Sequence, residues 1–136
     1  MWRFALPGAE SAAAIAIGDR VVAGGTEGIH NDYLIGMDLS TGAEVWRVWV
    51  GGPLDLPLVA TAGTVYASVG GDSGVGVNLT GTPFLYAVDV ASGAIRWRRE
   101  GCVGPVAFVA DASDERGIVA YVAGHRSASV LNATTG

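Results

Sequence analysis

Side chains able to do chemistry are sparse in this chain: two histidines, His30 and His125, a single cysteine, Cys102, and 13 acidic residues among 136. His30 and Asp32 stand two positions apart in Ile29-His30-Asn31-Asp32, where an imidazole and a carboxylate could share an ion with other loop carboxylates. Two histidines and one cysteine do not make a metal site by spacing, however, and solvated loop residues are the simpler reading, so no metal is expected. Asp55, Asp72, Asn78 and His125 complete the set of candidate binding contacts with His30 and Asp32, because the long loops expected at 25–32 and 70–83 should share one face, the loop face, with the connections at 51–56 and 101–105. Cys102, in Gly101-Cys-Val-Gly104 beside an apolar run, reads as a small core or loop residue. It cannot form a disulfide within the chain.

Catalytic patterns fail on their partners. Gly71-Asp72-Ser73-Gly74 resembles the nucleophile segment of chymotrypsin-type serine proteases. That chemistry needs a histidine base and a carboxylate to orient it, and His30 lacks the family's context, so the segment reads as a glycine-rich loop. The stretch 70–81 is no dinucleotide fingerprint either, since no helical pattern follows it. Asn78-Leu79-Thr80 and Asn132-Ala133-Thr134 match glycosylation acceptors, but nothing in the sequence indicates a eukaryotic secretory context. No catalytic residue is assigned.

Composition bounds the partners. Half the residues are hydrophobic, 15% are charged and 21 are glycine. This describes one folded domain, able to bury roughly two thirds of the surface of its unfolded chain. All eight basic residues are arginine and the net charge is −5. Nucleic acid is not an expected partner, because the one tight basic cluster, Arg96, Arg98 and Arg99, would be split between the two faces of a strand. The longest uncharged stretches fall short of the ~20 residues of a spanning helix. Residues 12–17 are too short for a secretory h-region, so no signal peptide is expected in this chain.

The elements that must position these residues are repeats. Asp38-Leu-Ser-Thr-Gly-Ala-Glu-Val-Trp-Arg47 aligns without gaps on Asp89-Val-Ala-Ser-Gly-Ala-Ile-Arg-Trp-Arg98. A third copy follows at Asn132-Ala-Thr-Thr-Gly136, and Trp2-Arg3 matches the two Trp-Arg pairs. Trp2, Trp46 and Trp97 are separated by 44 and 51 residues. Upstream of each unit come short apolar or alternating runs: 12–17, 20–24 and 33–37, then 58–61, 64–69 and 84–88, then 106–110, 117–123 and 127–131. Each Trp segment supplies a fourth strand. Turn signals at Gly18-Asp19, Ala62-Gly63, Gly42 and Gly93 separate the runs. Residues 10–14 have helix-favouring composition, but the equivalent place in the next repeat is a strand, so a strand is expected there. Four antiparallel strands every 44 to 51 residues predict an all-β chain of β-propeller blades.

Ala87-x-Asp89-x-x-Ser92-Gly93-x-x-x-Trp97, with Gly36-x-Asp38-x-x-Thr41-Gly42-x-x-x-Trp46 as its second copy, resembles the tryptophan-docking motif of quinoprotein-type, PQQ-like propellers. The resemblance implies a structural role for Trp2, Gly36, Asp38, Gly42, Trp46, Ala87, Asp89, Gly93, Trp97, Asn132 and Gly136. Each Trp should stack on the small residue and the glycine peptide of a neighbouring blade, the glycine closing the hairpin turn and the Asp bonding its amides.

A closed propeller needs at least four blades, whereas two Trp-to-Trp repeats and part of a third are present. The expectation is therefore one propeller segment, with residues 1–6 an outer strand of a preceding blade, 7–49 and 50–100 blades, and 101–136 a partial blade, forming part of a larger protein. Its partners would be other blades of the parent chain or a second copy of itself, with a protein or peptide ligand on the loop face. Relatives of this kind include PQQ- and calcium-dependent alcohol or sugar dehydrogenases, and also non-catalytic scaffolds such as a lipoprotein of the outer-membrane barrel assembly machine. The lone cysteine departs from the vicinal pair of many such dehydrogenases. A non-catalytic binding or scaffold module without cofactor is therefore expected, the quinone- and calcium-dependent enzyme standing as the alternative. The resemblance favours an extracytoplasmic location.

Overall fold

Runs that alternate or stay apolar for four to seven residues, each closed by a glycine-bearing turn, fold into a succession of antiparallel meanders. The computed structural model describes residues 1–5, 13–26, 32–52, 54, 57–61, 63–69, 83–100, 106–110, 118–123 and 128–136. For Thr26, β9, β10 and the first two residues of β11, the backbone alone is described. The first sheet holds β1 (Ala14–Ile17), β2 (Arg20–Thr26), β3 (Asp32–Asp38) and β4 (Glu44–Trp49) in that order. The second repeats it with β5 (Val59–Thr61), β6 (Thr64–Val69), β7 (Phe84–Asp89) and β8 (Ile95–Glu100). The third has β9 (Val106–Ala110), β10 (Ile118–Ala123) and β11 (Ala128–Asn132), with β11 at the edge. All pairings are antiparallel. The strand expected across residues 10–14 begins at Ala14, and residues 6–12 lie outside the described ones.

Burial explains the sequence pattern strand by strand. A middle strand is covered on both faces by neighbouring sheets, so β6 and six of the seven residues of β3 are buried and read as continuous rather than alternating runs. An outer strand meets solvent, and β4 buries only Trp46. Leu34, Val48 and Trp46 of the first sheet pack with Val65, Tyr86, Val88 and Val90 of the second in one core. Tyr66, Leu85, Ala87 and Trp97 of the second pack with Leu131 and Ala133 of the third. The opposite face of the first sheet, Ala23, Tyr33, Ile35 and Met37, is met by Phe4.

Residues 1–5 join no sheet, unlike the strand expected of them. A strand needs a ladder partner, and no described sheet offers one beside this segment.

Candidate functional site

The residues repeated in all three units converge on one construction, a turn that receives the tryptophan of the preceding repeat. The carboxylate of Asp38 begins it. Its Oδ1 accepts hydrogen bonds from the Ser40 and Thr41 amides at 3.0 and 2.8 Å and from their hydroxyls at 2.6 and 2.9 Å. Asp89 Oδ1 accepts from the Ala91 and Ser92 amides at 3.1 and 2.9 Å and the Ser92 hydroxyl at 2.8 Å. Asn132 Oδ1 does the same with the Thr134 and Thr135 amides at 2.9 and 3.2 Å. The glycine amide then closes each turn on the carbonyl of that first residue at 2.8 Å, in Gly42, Gly93 and Gly136 alike. These glycines have φ of +73, +74 and +82, where an L side chain is disfavoured.

Each indole lies flat over the next turn. A Cβ on Gly42 would fall 2.5 Å from the Trp2 ring, on Gly93 2.6 Å from Trp46, and on Gly136 3.0 Å from Trp97. Each ring also donates a hydrogen bond from Nε1: Trp2 to the Leu39 carbonyl at 2.8 Å, Trp46 to Val90 at 2.8 Å, and Trp97 to Ala133 at 2.9 Å. The acceptor is each time the residue following Asp or Asn. Trp46 is 8% exposed, and burying an indole of 150–250 Å² is worth about 4–6 kcal/mol as an upper figure. Tyr66 reinforces the second junction. Its hydroxyl donates to the Ala133 carbonyl at 3.2 Å and its ring tilts against Trp97 with centroids 5.8 Å apart.

The small residue of the motif is placed differently from the expectation. Gly36 is directly opposite Trp46, and Ala87 directly opposite Trp97, within the same sheet. A Cβ on Gly36 would fall inside the Trp46 indole. The tryptophan is thus held between a small residue of its own sheet and a glycine turn of the next. A β-bulge follows each small residue, between Gly36 and Met37 and between Ala87 and Val88.

The motif's charges are engaged in the structure. Hydrogen bonds from the Ser40 hydroxyl and then the Thr41 amide lower the Asp38 pKa from 3.8 to about 2. Asp89 is also lowered to about 2, chiefly by Arg96 and then by Ser92. Arg96 Nη2 reaches Asp89 Oδ2 at 2.5 Å while its Nη1 donates to the Thr64 hydroxyl at 2.7 Å. The corresponding contact in the first sheet comes from another strand, Arg20 Nη1 lying 3.6 Å from Asp38 Oδ2. In two of the Trp-Arg pairs the arginine covers an aromatic ring: Arg47 over Tyr33 at 4.4 Å and Arg98 over Phe84 at 5.3 Å. Alternation separates the basic cluster as expected, Arg96 and Arg98 turning to one set of partners and Arg99 donating to the Gly136 carbonyl at 3.1 Å.

Of the six candidate contacts, Asp32 alone is described. It belongs to β3, paired with Thr26, and is 4% exposed, so it is a buried strand residue and not a loop residue. Its carbonyl accepts the Val50 and Gly51 amides at 2.9 and 3.4 Å. His30, Asp55, Asp72, Asn78 and His125 lie outside the described residues, as does Cys102. Among the described residues no group of three or more His, Cys, Asp or Glu is placed to hold a metal ion, and no helix is long and apolar enough to cross a membrane.

No protein-family model matches the sequence, and no curated protein matches it significantly. Among solved structures, that of BamB from Moraxella catarrhalis is similar over 88% of this chain, with a TM-score of 0.61 and 21% identity. The chain spans 32% of BamB's length. At that identity the likeness speaks for the fold: the antiparallel four-stranded sheets are blades of a β-propeller.

Proposed function

We propose that this chain is a non-catalytic binding or scaffold module of the PQQ-like repeat type, one segment of a larger propeller, in which the repeated motif builds the blade stack and ligands meet the loop face. The observation that carries this reading is the internal engagement of the motif's reactive groups. Asp38 and Asp89 bond their own turns, and the three docked indoles bond backbone carbonyls of the next turn. Such a construction yields a stack of sheets from which loops can present partner-specific contacts. The blade limits follow the repeats, with 7–49 and 50–100 as blades and 101–136 as a partial one.

His30, Asp55, Asp72, Asn78 and His125 are the contacts we assign to the loop face, with a protein or peptide as partner. Asp32 is better suited to bracing the start of β3 than to meeting a ligand. An extracytoplasmic location fits this repeat type. The experiment is a titration of the chain with pyrroloquinoline quinone and calcium, followed by quinone absorbance and thermal melting. The scaffold reading expects neither to change. Stoichiometric quinone binding with calcium-dependent stabilisation would overturn it in favour of a dehydrogenase segment.

A further inference from the structure

We propose that the outer edge of β4 docks an extended segment of another protein, which adds to the first sheet as a further strand with Trp49 as its side-chain anchor. This site lies on the rim of the blade stack, apart from the loop face, and does not depend on the reading of that face. The two complete sheets differ in what their outer strands expose. The ungapped repeats set Trp49 against Glu100 and Val45 against Arg96. Glu100 is paired with Phe84, which packs into the core between the first and second sheets, yet Glu100 and Arg96 are both exposed. Stacking one sheet on another therefore leaves this stretch of the outer strand in water, where charged residues belong. The first sheet has apolar side chains there instead, Trp49 being 64% and Val45 47% exposed.

Backbone and side chain of Trp49 are both set for a strand partner. The Val50 amide donates to the Asp32 carbonyl at 2.9 Å, and the β3–β4 register continues unbroken from Tyr33–Trp49 to Gly36–Trp46. Alternate residues of an antiparallel strand turn their N–H and C=O to the same side, so Trp46 and Val48 face β3 with Val50, while Arg47 and Trp49 direct theirs to the outer edge. β4 is the last strand of its sheet. The bulge leaves Val45 outside the register, so the regular edge spans Trp46 to Trp49. The Trp49 ring is held in place: its six-membered part lies over Gly51, 3.1 to 3.4 Å from where a Cβ would stand, and the Gly51 φ of +74 suits glycine. An indole already fixed loses little rotamer freedom on binding, and tryptophan is enriched among the residues that dominate binding energy.

The chemistry of the edge selects the occupant. β8 guards the same edge of the second sheet with Arg96, Arg98, Arg99 and Glu100, charged side chains of the kind that discourage strand addition. β4 has two charges, and they meet each other, Arg47 Nη2 lying 2.9 Å from Glu44 Oε2. An uncharged extended segment with apolar residues at alternate positions fits such an edge. Its backbone meets the outward groups of Trp49, and the side chain directly across from Trp49, being on the same face, lies against the indole. A sugar ring would use the indole alone and leave those backbone groups unmatched.

The test titrates a capped seven-residue peptide of alternating threonine and valine into the intact, isotope-labelled chain, followed by NMR. A copy of the peptide N-methylated at its valines is the control, because it keeps the side chains and loses the ladder. Shifts concentrated at residues 46–49 and at the Trp49 indole N–H are expected. Trp49→Glu, which installs the residue of the second repeat, and the N-methylated copy should each weaken binding by about tenfold or more, with the circular dichroism of the variant unchanged. No shift at residues 46–49 at millimolar peptide, equal binding of the N-methylated copy, equal binding by Trp49→Glu, or self-association through this edge in place of peptide binding would overturn the proposal.

Discussion

Replacing Gly93 by alanine separates the packing of the docked tryptophan from the backbone geometry of its turn, because the chain contains its own control. Gly63 and Gly93 share a φ of +74. An alanine at either position meets the same left-handed penalty, about 1–2 kcal/mol. Around Gly63 nothing lies within 4 Å of the added Cβ, whereas at Gly93 it falls 2.6 Å from the Trp46 ring. Carbon atoms rest at about 3.5–4.0 Å, so the indole must retreat by about 1 Å. That stretches the 2.8 Å bond to the Val90 carbonyl and opens a core in which Trp46 is 8% exposed. Losing a net hydrogen bond of about 1 kcal/mol and part of the indole's burial predicts that Gly93→Ala costs about 2–4 kcal/mol more than Gly63→Ala. Urea denaturation followed by tryptophan fluorescence reads both quantities, and Gly93→Ala should also red-shift the native emission. Losses that agree within about 0.5 kcal/mol, with unshifted emission, would refute the docking argument.

Three further outcomes follow from the same geometry. Gly36→Ala should be among the most destabilising single-methyl additions, because the Cβ falls inside the Trp46 indole, while Ala87→Gly should cost about 1 kcal/mol; denaturation midpoints compare them. In carboxyl NMR titrations, Ser40→Ala should raise the Asp38 pKa and Arg96→Gln that of Asp89, each leaving the other carboxylate in place. Both carboxylates titrate near 2 when folded, below their ordinary 3.8, so on acidification the unfolded chain takes up these protons first. Their contribution is complete above about pH 4 and falls away between there and about pH 2, a slope that Asp38→Asn with Asp89→Asn should flatten in thermal melts. Asn132 already fills the equivalent place without a charge, so the third turn should be indifferent to this range.

The motif was legible because identical residue types recur at identical offsets: Asp for the turn amides, Gly for the positive φ, Trp for the stacked ring. The middle strands were legible as apolar runs bounded by turns. Other features depend on register or backbone and leave no trace in residue identity. The indole acceptors are the carbonyls of Leu39, Val90 and Ala133, which any residue would supply. The arginine beside the motif Asp comes from β2 in one sheet and β8 in the next, so no alignment of repeats reveals it. That Gly36 and Ala87 face their own tryptophans needed the β3–β4 and β7–β8 registers. Asp32 reads as a loop residue beside His30 and Asn31, but pairing with Thr26 draws it into β3. Residues 1–5 have the pattern of a strand but join no described sheet, because strand pattern does not supply a ladder partner.

The central claim, that each repeat is locked to the next by an indole seated on a glycine turn, is tested most directly by hydrogen exchange at the indole Nε1–H groups, resolved by NMR. Trp46 and Trp97 donate to the Val90 and Ala133 carbonyls, whereas Trp49 is 64% exposed. The account predicts strong protection for Trp46 and Trp97 and rapid exchange for Trp49. Exchange at Trp46 and Trp97 as fast as at Trp49 would contradict it.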